Sequence, residues 1–400
     1  MQFIDGGVTA PKGFSAAGTA CGLKKNGKKD LAVVCSESLA RAAGVFTKNV
    51  VKGHSLKLTM ENIKSGRAKA VVINSGNANA CVGAQGERDA REMSSLAAKL
   101  LECAPENILV GSTGVIGMPL NMEAVSSGIG NTVGELSATG GHSAEEAIMT
   151  TDLIPKEAAI ELDIQGVRVT LGGMAKGSGM IHPNMATMIG VITTDADISP
   201  ELLDRALKNN IKNTFNRVSV DGDTSVCDMV VMLANGAAGN RGIKLEDGDF
   251  ALFSEALQSL CKTLAKLIAS DGEGATKLVE ITVQGALTEE AAYSIVSAVA
   301  KSPLVKTAIF GEDANWGRIF TAAGYSGAQF NPDLTDIYIG GLMVCQKGMA
   351  LKFDEEKAKE ILKEKEISIL IDLKEGNFSD RMWTCDFSYD YVKINGSYRS

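Results

Sequence analysis

The sequence predicts an α/β fold in which strands and helices alternate along the whole chain. Short apolar runs rich in β-branched residues end in Gly, Ser or Asn, which is typical of buried strands. Other segments repeat apolar residues at helical spacing. The 400 residues are 45% hydrophobic and 22% charged, which is ample for a large core. This length suits two or three domains, or one large α/β unit with an attached lobe.

The first half of the chain contains five predicted strands and one predicted helix. The strands cover residues 30–36 (DLAVVCS), 69–76 (KAVVINSG), 108–114 (ILVGSTG), 167–173 (VRVTLGG) and 187–196 (TMIGVITTDA). The helix covers residues 88–102 (RDAREMSSLAAKLLE), where apolar side chains recur with helical period.

The second half continues the alternation. Helices are predicted over residues 200–215, 254–270, 292–302 and 355–366. Strands are predicted over residues 228–236 (DMVVMLANG), 280–285 (EITVQG), 336–344 (DIYIGGLMV) and 368–373 (SILIDL). We find no internal repeat, low-complexity tract or proline-rich linker. The expected structure is an α/β sandwich whose two halves are woven together.

Composition argues against nucleic acid as a partner and against zinc as a ligand. The net charge is −8, aromatic residues make up 5%, and the one dense basic patch, KKNGKK at residues 24–29, is predicted to be a solvated loop. Nucleic-acid binding normally shows a basic stripe with interleaved aromatic residues. The eight cysteines are scattered without a C-x-x-C pair and are predicted to be buried, reduced thiols.

The N-terminus and the hydropathy of the chain predict a soluble, cytoplasmic protein with no membrane partner. MQFIDGGVTAPKG lacks the charged and apolar regions of a signal peptide. No uninterrupted apolar run approaches the length needed to span a membrane.

Metal and nucleotide motifs are missing from the sequence. Three histidines occur without H-E-x-x-H or comparable spacing, so no metal site is predicted. His182 lies beside a glycine-rich turn, where a structural and a substrate-shaping role both stay open. The glycine cluster GGMAKGSGM at residues 172–180 matches neither a Walker loop, nor G-x-G-x-x-G, nor a nucleophile elbow.

The most informative stretch is KGSGMIHPNMATMIG, which begins at Lys176. A glycine-rich turn leads into Ala186 and Thr187, and a β-rich run follows. The Thr187 hydroxyl can attack the Ala186 carbonyl, the peptide becomes an ester, and water releases a new amino terminus. That α-amino group can then serve as general base for its own hydroxyl. By spacing alone, an ordinary β-branched strand residue remains the commoner explanation for Thr187.

At this point the chain resembles the ornithine acetyltransferase (glutamate N-acetyltransferase) family, whose hallmark is an Asn-Met-Ala-Thr-Met block cut before the threonine. The match covers almost the whole length. Its other blocks are GVTAPKGF (7–14), AGVFTKN (43–49), NSGNANAC (74–81), GSTGVIG (111–117), MTTD (149–152), FNRVSVDGDTS (215–225), SPLVKTAIFGEDANWGRI (302–319) and YVKINGSYRS (391–400).

The resemblance implies a fold and an activity. The fold would be a self-processing N-terminal-nucleophile-type α/β sandwich of the ornithine acetyltransferase/DmpA-like kind, with strands and helices from both cleaved chains interwoven. Those chains would be residues 1–186 and 187–400, associated as an α2β2 assembly. The activity would be transfer of acetyl from N-acetyl-L-ornithine to L-glutamate in arginine biosynthesis. It needs no cofactor, and acetyl-CoA is a further donor in bifunctional members.

The resemblance also assigns the catalytic residues. Thr187 matches the nucleophile of both self-cleavage and acetyl transfer. Thr113 and Gly114 match the positions that stabilise the oxyanion, where each donor is typically worth about 2.7–4 kcal/mol in acyl transfer. Without the resemblance, the GSTG run would be predicted as a turn at a strand end.

Five further positions match residues that bind substrate. Lys176 matches a lysine whose ammonium can hold a carboxylate, and Thr150 another contact, with Thr151 as the neighbouring alternative. Glu273 matches a glutamate that binds the substrate amino group, and Asn395 and Ser400 match a polar pair that contacts substrate, as does Thr187. From the residues alone, the C-terminal tail would be expected to fray.

Two stretches depart from the family pattern. Val226 and Cys227 stand where a Thr-Asn pair is expected, which puts local hydrogen bonding in doubt. KGHS at residues 52–55 replaces a more apolar stretch, in what is expected to be a surface loop. Neither departure includes the nucleophile, the lysine or the oxyanion block, so activity is still expected.

Three hypotheses about function follow. The main one is ping-pong acetyl transfer through an acetyl-threonine ester. The second is a self-processing amidohydrolase or aminopeptidase in which water replaces glutamate, and the matches at Lys176, Glu273 and Asn395 argue against it because they suit an amino-acid substrate. The third is an uncleaved binding protein, which the intact nucleophile block argues against.

Overall fold

A computed structural model describes residues 1–182 and 188–397 of the chain. The predicted cleavage site between Ala186 and Thr187, the nucleophile itself and Ser400 lie outside the described residues. The chain divides into two compact units. The first comprises Met1–Asn216 and Asp223–Leu264, and the second comprises Arg217–Gly222 and Ala265–Ser400.

Strands and helices alternate through the described residues as the sequence predicted. The strands are β1 (Gln2–Ile4), β2 (Phe14–Thr19), β3 (Leu31–Phe46), β4 (Arg67–Asn77), β5 (Ile108–Val115), β6 (Glu157–Ile164), β7 (Val167–Lys176), β8 (Ile189–Thr194), β9 (Val218–Ser219), β10 (Met229–Ala234), β11 (Leu278–Ala286), β12 (Asp336–Ile339), β13 (Leu342–Gln346), β14 (Met349–Ala350), β15 (Glu366–Asp372) and β16 (Phe378–Cys385).

The helices are α1 (His54–Asn62), α2 (Ala84–Leu100), α3 (Met122–Gly134), α4 (Gly141–Ile148), α5 (Pro200–Asn213), α6 (Gly248–Ser270), α7 (Glu289–Lys301), α8 (Pro303–Phe310), α9 (Trp316–Gly324), α10 (Glu355–Lys363) and α11 (Tyr389–Gly396). Among the described residues, we find no helix with the length and apolar character that a membrane span requires.

The first unit is built on a sheet of nine strands in the order β1-β6-β7-β8-β10-β3-β4-β5, with β2 also paired to β3. β8 lies between β7, to which it is antiparallel, and β10, to which it is parallel. β10 in turn pairs antiparallel with β3. β8 and β10 follow residue 187, whereas the strands that flank this pair, β7 and β3, precede it. Strands from both sides of that residue therefore interleave. The predicted interweaving is confirmed.

The long strand β3 bends and carries the sheet from one layer into a second. Its first half pairs with β2 and β4, and its last six residues pair with β10. Its register shifts between Cys35 and Ala40, and such a bulge bends a strand. Strands β3, β4 and β5 then share one buried core with β7, β8 and β10. The close approach is visible at Gly111, where an added Cβ would lie 2.5 Å from Cε of Met229.

Helices cover the outer faces of both layers of the first unit. Along β4, alternate residues point to different cores: Ile73 faces the core between the layers, whereas Val72 packs with Met93 of α2 and Ile129 of α3. On the other layer, Leu264 of α6 packs against Gly173 of β7. The result is an α/β/β/α sandwich.

The second unit has a sheet of seven strands in the order β14-β13-β12-β15-β11-β16-β9. One hydrophobic core joins the central strands to α7, α8, α9 and α10. The run DIYIGGLMV, predicted as one strand, is a hairpin of β12 and β13. Gly340 and Gly341 have φ values of 54° and 81°, so the left-handed turn that divides the run uses its two glycines.

Candidate active site

Lys176, the last residue of β7, is almost fully buried beside a carboxylate. Its Nζ lies 3.9 Å from Oδ2 of Asp152, and the two side chains are 3% and 0% exposed. Asp152 accepts hydrogen bonds from the backbone N–H of Gly177 at 2.6 Å and of Thr150 at 2.9 Å. Asp152 therefore connects two residues, Lys176 and Thr150, that the sequence predicted to contact substrate.

A second lysine shares the same carboxylate. Nζ of Lys156 lies 2.8 Å from Oδ1 of Asp152, and both side chains are fully buried. Burial would raise the pKa of Asp152, but the ammonium groups of Lys176 and Lys156 outweigh it and hold the pKa well below its usual range. Two buried ammonium groups therefore share this one carboxylate.

Glu145 borders the cluster formed by Lys156, Asp152 and Lys176. Its Oε1 accepts the backbone N–H of Lys156 at 2.9 Å. Complete burial raises its pKa well above the ordinary value, against the smaller opposing effects of this N–H and of the Lys156 charge. Glu145 is thus favoured in its neutral form. A buried ammonium group such as that of Lys176 is suited to hold a carboxylate.

The basic patch at residues 24–29 is a loop whose residues 25–28 are exposed, as predicted, whereas its two ends are partly buried. Lys25 and Lys28 are exposed, but Lys24 is half-buried and its Nζ donates to the Lys29 carbonyl at 2.6 Å. Asp30 explains the folding of this loop, since it accepts three backbone N–H groups from Cys21, Gly22 and Lys24. Burial, helped by the charge of Lys176, lowers the Lys24 pKa to about 8.

Thr113 and Gly114 lie inside β5 and not in a turn after it. Gly114 has a φ of 132°, and an added Cβ would lie 2.4 Å from the backbone carbon of Gly76 on the parallel strand β4. Only glycine fits there without strain. The preceding Ser112 is held by hydrogen bonds to Asn74 at 2.6 Å and to Ser55 at 2.7 Å.

The strand that follows Thr187 begins beside Lys176. Across the β7–β8 pair, Lys176 is the partner of Ile189. The preceding residue, Met188, donates its N–H to Oδ1 of Asp228 at 3.1 Å and accepts the N–H of Met229 at 3.1 Å. The lysine predicted to bind substrate thus lies where the chain enters β8 from Thr187.

The departure at Val226 and Cys227 is buried near the end of β5, which carries the predicted oxyanion residues. These two residues form a small apolar cluster with Ala78 and Ala80. Sγ of Cys227 lies 3.4 Å from the Ala78 carbonyl, and the Ala78 N–H donates at 3.0 Å to Val115, the residue after Gly114. Apolar contacts and this thiol contact therefore occupy the place where an amide was expected.

The departure at residues 52–55 is not the surface loop that was expected. It leads into α1, and Gly53 and Ser55 are buried. The Gly53 N–H donates to the Val226 carbonyl at 2.9 Å, while Ser55 holds Ser112 of β5. This stretch therefore supports both the loop before β10 and the strand that carries Thr113.

In the second unit, the structure brings Glu273 and Asn395 together. Nδ2 of Asn395 donates to Oε2 of Glu273 at 2.8 Å, and Glu273 is buried. The loop is fixed at the next residue, where Oγ of Ser388 donates to the Gly274 carbonyl at 2.5 Å. Asn395 belongs to α11, so the chain is helical as far as Gly396.

Sequence reasoning missed Asp152, Lys156 and Asp228. Asp152 closes the MTTD block, so its acidic side chain two residues after Thr150 was a usable signal. Lys156 and Asp228 gave none, because their significance depends on burial and on partners in other elements.

Comparison with known proteins places the chain in a family. The sequence model of the ArgJ family matches residues 15–400. The chain belongs to the ArgJ family. An arginine biosynthesis bifunctional protein ArgJ from Caldanaerobacter subterraneus subsp. tengcongensis is 52% identical, with all of both chains covered.

Solved structures of related proteins match about half of this chain. The crystal structure of the arginine biosynthesis bifunctional protein ArgJ of Bacillus halodurans is 46% identical with a TM-score of 0.50, covering 51% of this chain and 96% of that one. The ornithine acetyltransferase of Mycobacterium tuberculosis, crystallised with ornithine, is 40% identical with a TM-score of 0.43, covering 46% of this chain and 97% of that one. The Bacillus halodurans polypeptide in that structure is thus about half as long as this chain.

Proposed function

We propose that the chain is a self-processing acetyltransferase of arginine biosynthesis that moves acetyl from N-acetylornithine to glutamate. The observation that carries the proposal is the buried Lys176–Asp152–Lys156 cluster beside the first residues after Thr187. Buried ammonium groups at that place suit the carboxylate that both substrates carry. The family relative at 52% identity is named an arginine biosynthesis bifunctional protein.

The first step is self-cleavage. The Thr187 hydroxyl attacks the Ala186 carbonyl, the peptide nitrogen leaves as the Thr187 amine, and water hydrolyses the resulting ester. The products are residues 1–186 and 187–400. The Bacillus halodurans polypeptide, about half as long as this chain, supports such a cut.

The second step is acetyl transfer. The freed α-amino group takes the proton of the Thr187 hydroxyl, which attacks the acetyl carbonyl of N-acetylornithine. Thr113 and Gly114 stabilise the oxyanion, the proton passes to the leaving ornithine amine, and an acetyl-threonine ester remains. The amine of glutamate then takes the acetyl group and restores the hydroxyl.

Substrate binding is assigned to the residues that the family resemblance singled out. Lys176 holds the substrate carboxylate, supported by its burial beside Asp152, and Thr150 contributes a polar contact. Glu273 binds the amino group, with Asn395 and Ser400 as polar contacts. The 2.8 Å bond between Asn395 and Glu273 supports a shared role for these two residues.

Further features belong to the same proposal. The reaction uses no metal or prosthetic group, since the threonine ester carries the acetyl group. Acetyl-CoA is proposed as a second donor, because the relative is named bifunctional. We place the activity in the cytoplasm and assign the two cleaved chains to an α2β2 assembly.

The experiment that tests the proposal compares denatured intact masses of wild type and Thr187→Ala. We expect two masses for wild type, corresponding to residues 1–186 and 187–400, and one uncut mass for the variant. Cleaved protein should then form N-acetylglutamate from N-acetylornithine and glutamate. A single full-length wild-type mass would refute the mechanism, and acetate release without glutamate would point to a hydrolase.

A further inference from the structure

Asp228 is a buried acid before β10 that the proposed chemistry leaves without a role. The residue is 1% exposed. Its Oδ1 accepts the N–H of Met188 at 3.1 Å, whereas its Oδ2 has no hydrogen-bond partner among the residues that the structure describes. Buried polar oxygens are nearly always satisfied, so an exception at this place calls for a physical reason.

The position of Asp228 links it to the nucleophile through the backbone. β10 and β8 are parallel neighbours with Met229 beside Ile189, so Asp228 and Met188 form the pair one step before both strands. Met188 is bonded covalently to Thr187. Asp228 therefore holds the first described residue after the nucleophile.

The same segment also contacts the strand of the oxyanion residues. Cys227, next to Asp228, touches the carbonyl of Ala78, and Ala78 is hydrogen-bonded to Val115 at the end of β5. Anything that moves residues 227 and 228 would thus disturb the ends of both β8 and β5.

The surroundings of Asp228 favour a neutral carboxylic acid. Burial raises its pKa well above the ordinary value, while the Met188 N–H and the charge of Lys176 oppose the rise only partly. A neutral acid accepts an N–H through one oxygen and places no charge in the core.

We propose that Asp228 is a positioning residue for Thr187: by holding the Met188 N–H, it fixes the peptide unit through which the nucleophile joins β8. The inference rests on the proposed function, because it needs Thr187 to be the nucleophile. A peptide unit is planar, so holding its N–H removes one rotation by which the end of the strand could move. Misplacing reacting atoms by about 1 Å costs about 100-fold in rate.

Asp195 is a matched control at the opposite end of β8. It is fully buried, and its oxygens accept the N–H of Thr170 at 2.8 Å and of Lys12 at 3.1 Å. Burial raises its pKa as well. Asp195 therefore shares the burial and the kind of contact found at Asp228, but lies a full strand length from Thr187.

The experiment follows self-cleavage of freshly made precursor by denatured intact mass in four variants. Asp228→Ala and Asp228→Val lack the acceptor and should cleave about 100-fold more slowly than wild type. Asp228→Asn keeps a neutral acceptor and should stay within about 10-fold, with a lower kcat and an unchanged KM for acetyl transfer once cleaved. Asp195→Ala should lose stability in urea yet cleave at close to the wild-type rate.

Each outcome decides the matter. Valine is included because it fills the space that alanine leaves, in case the alanine variant does not fold. Self-cleavage of Asp228→Val at the wild-type rate would overturn the inference. So would a folded Asp228→Asn as slow as Asp228→Val, because an ionisable carboxyl would then be required. If Asp195→Ala cleaved as slowly as the Asp228 variants, lost stability alone would explain their slow cleavage, and the inference would be wrong. An uncut wild type would defeat the proposed function as well, whereas a cut wild type with equally cut Asp228 variants would defeat this inference alone.

Discussion

At the scale of single residues, the decisive feature is the carboxylate shared by Lys156 and Lys176. Two ammonium groups buried within reach of one another would repel strongly in a medium of low polarity. Asp152 makes their burial possible: the two ammonium groups keep it ionised, and backbone N–H groups bind both of its oxygens. Lys176 is therefore held in place by Asp152, which would reduce the entropic cost of the substrate binding proposed for it.

Replacing Asp152 with Asn should lower the free energy of unfolding by about 3–5 kcal/mol, because two buried ammonium groups lose their counter-charge. The folded pKa of Asp152 lies below its unfolded value, so its contribution is complete above about pH 4 and is lost as pH falls further. Urea titration at pH 7 measures the change. Glu92→Gln, which removes an exposed carboxylate of α2, is the control and should change stability by less than about 0.5 kcal/mol. An unchanged midpoint in Asp152→Asn would contradict the charge assignment.

Glu145 gives a pH dependence of the opposite sign. Its folded pKa lies above the unfolded value, so the folded state binds the proton more tightly and stability declines as pH rises above about 4.3, by about 1.4 kcal/mol per unit until the folded group ionises. Glu145→Gln keeps an acceptor for the Lys156 N–H and lacks this decline. In urea unfolding from pH 4 to 8, the free energy of unfolding of the variant should rise relative to that of wild type as pH increases. Parallel plots of this free energy against pH would mean that Glu145 is charged.

At the scale of elements, the ends of β4 and β5 approach so closely that side chains are excluded. Gly114→Ala should cost about 1–3 kcal/mol in backbone strain, and the displaced β5 should slow acetyl transfer by about 100-fold. The control is Gly130→Ala in α3, where an added Cβ meets nothing within 4 Å. Because alanine has the higher helix propensity, this change should raise the free energy of unfolding by up to about 1 kcal/mol. Thermal unfolding and turnover of both variants test this. Normal turnover in Gly114→Ala would remove Thr113 and Gly114 from the oxyanion site.

Local sequence patterns predicted the elements well because period and punctuation are local properties. The strands from DLAVVCS to DMVVMLANG and the helices over 88–102 and 200–215 all occur. The bend of β3 was not predictable, since it depends on strands that pair with its two halves from distant parts of the chain. Asp228 and Lys156 were missed for the same reason. The resemblance supplied Lys176 and Glu273, and the structure supplied their partners.

At the scale of the whole molecule, β8 and β10 hold the two sides of residue 187 together. Each lies between strands of the same sheet, so a cut at Ala186 would leave their hydrogen bonds in place. We expect the two pieces of cleaved protein to elute together in size-exclusion chromatography and to separate only in denaturant. Uncleaved Thr187→Ala should elute at the same volume. Separation of the pieces in native buffer would contradict the role given to these strands.

Because β8 and β10 are interleaved with strands that precede residue 187, refolding should depend on whether the chain has been cut. In the intact chain, β3 and β10 belong to one polypeptide. The entropic cost of pairing them is therefore set by the length of chain between them. Once the chain has been cut and fully unfolded, β3 and β10 belong to separate polypeptides. The free-energy cost of pairing them then depends on protein concentration. The peptide bond before Thr187 would thus serve assembly and then be dispensable. Refolding of the mature enzyme would slow on dilution, while the uncut chain would refold at a rate independent of concentration.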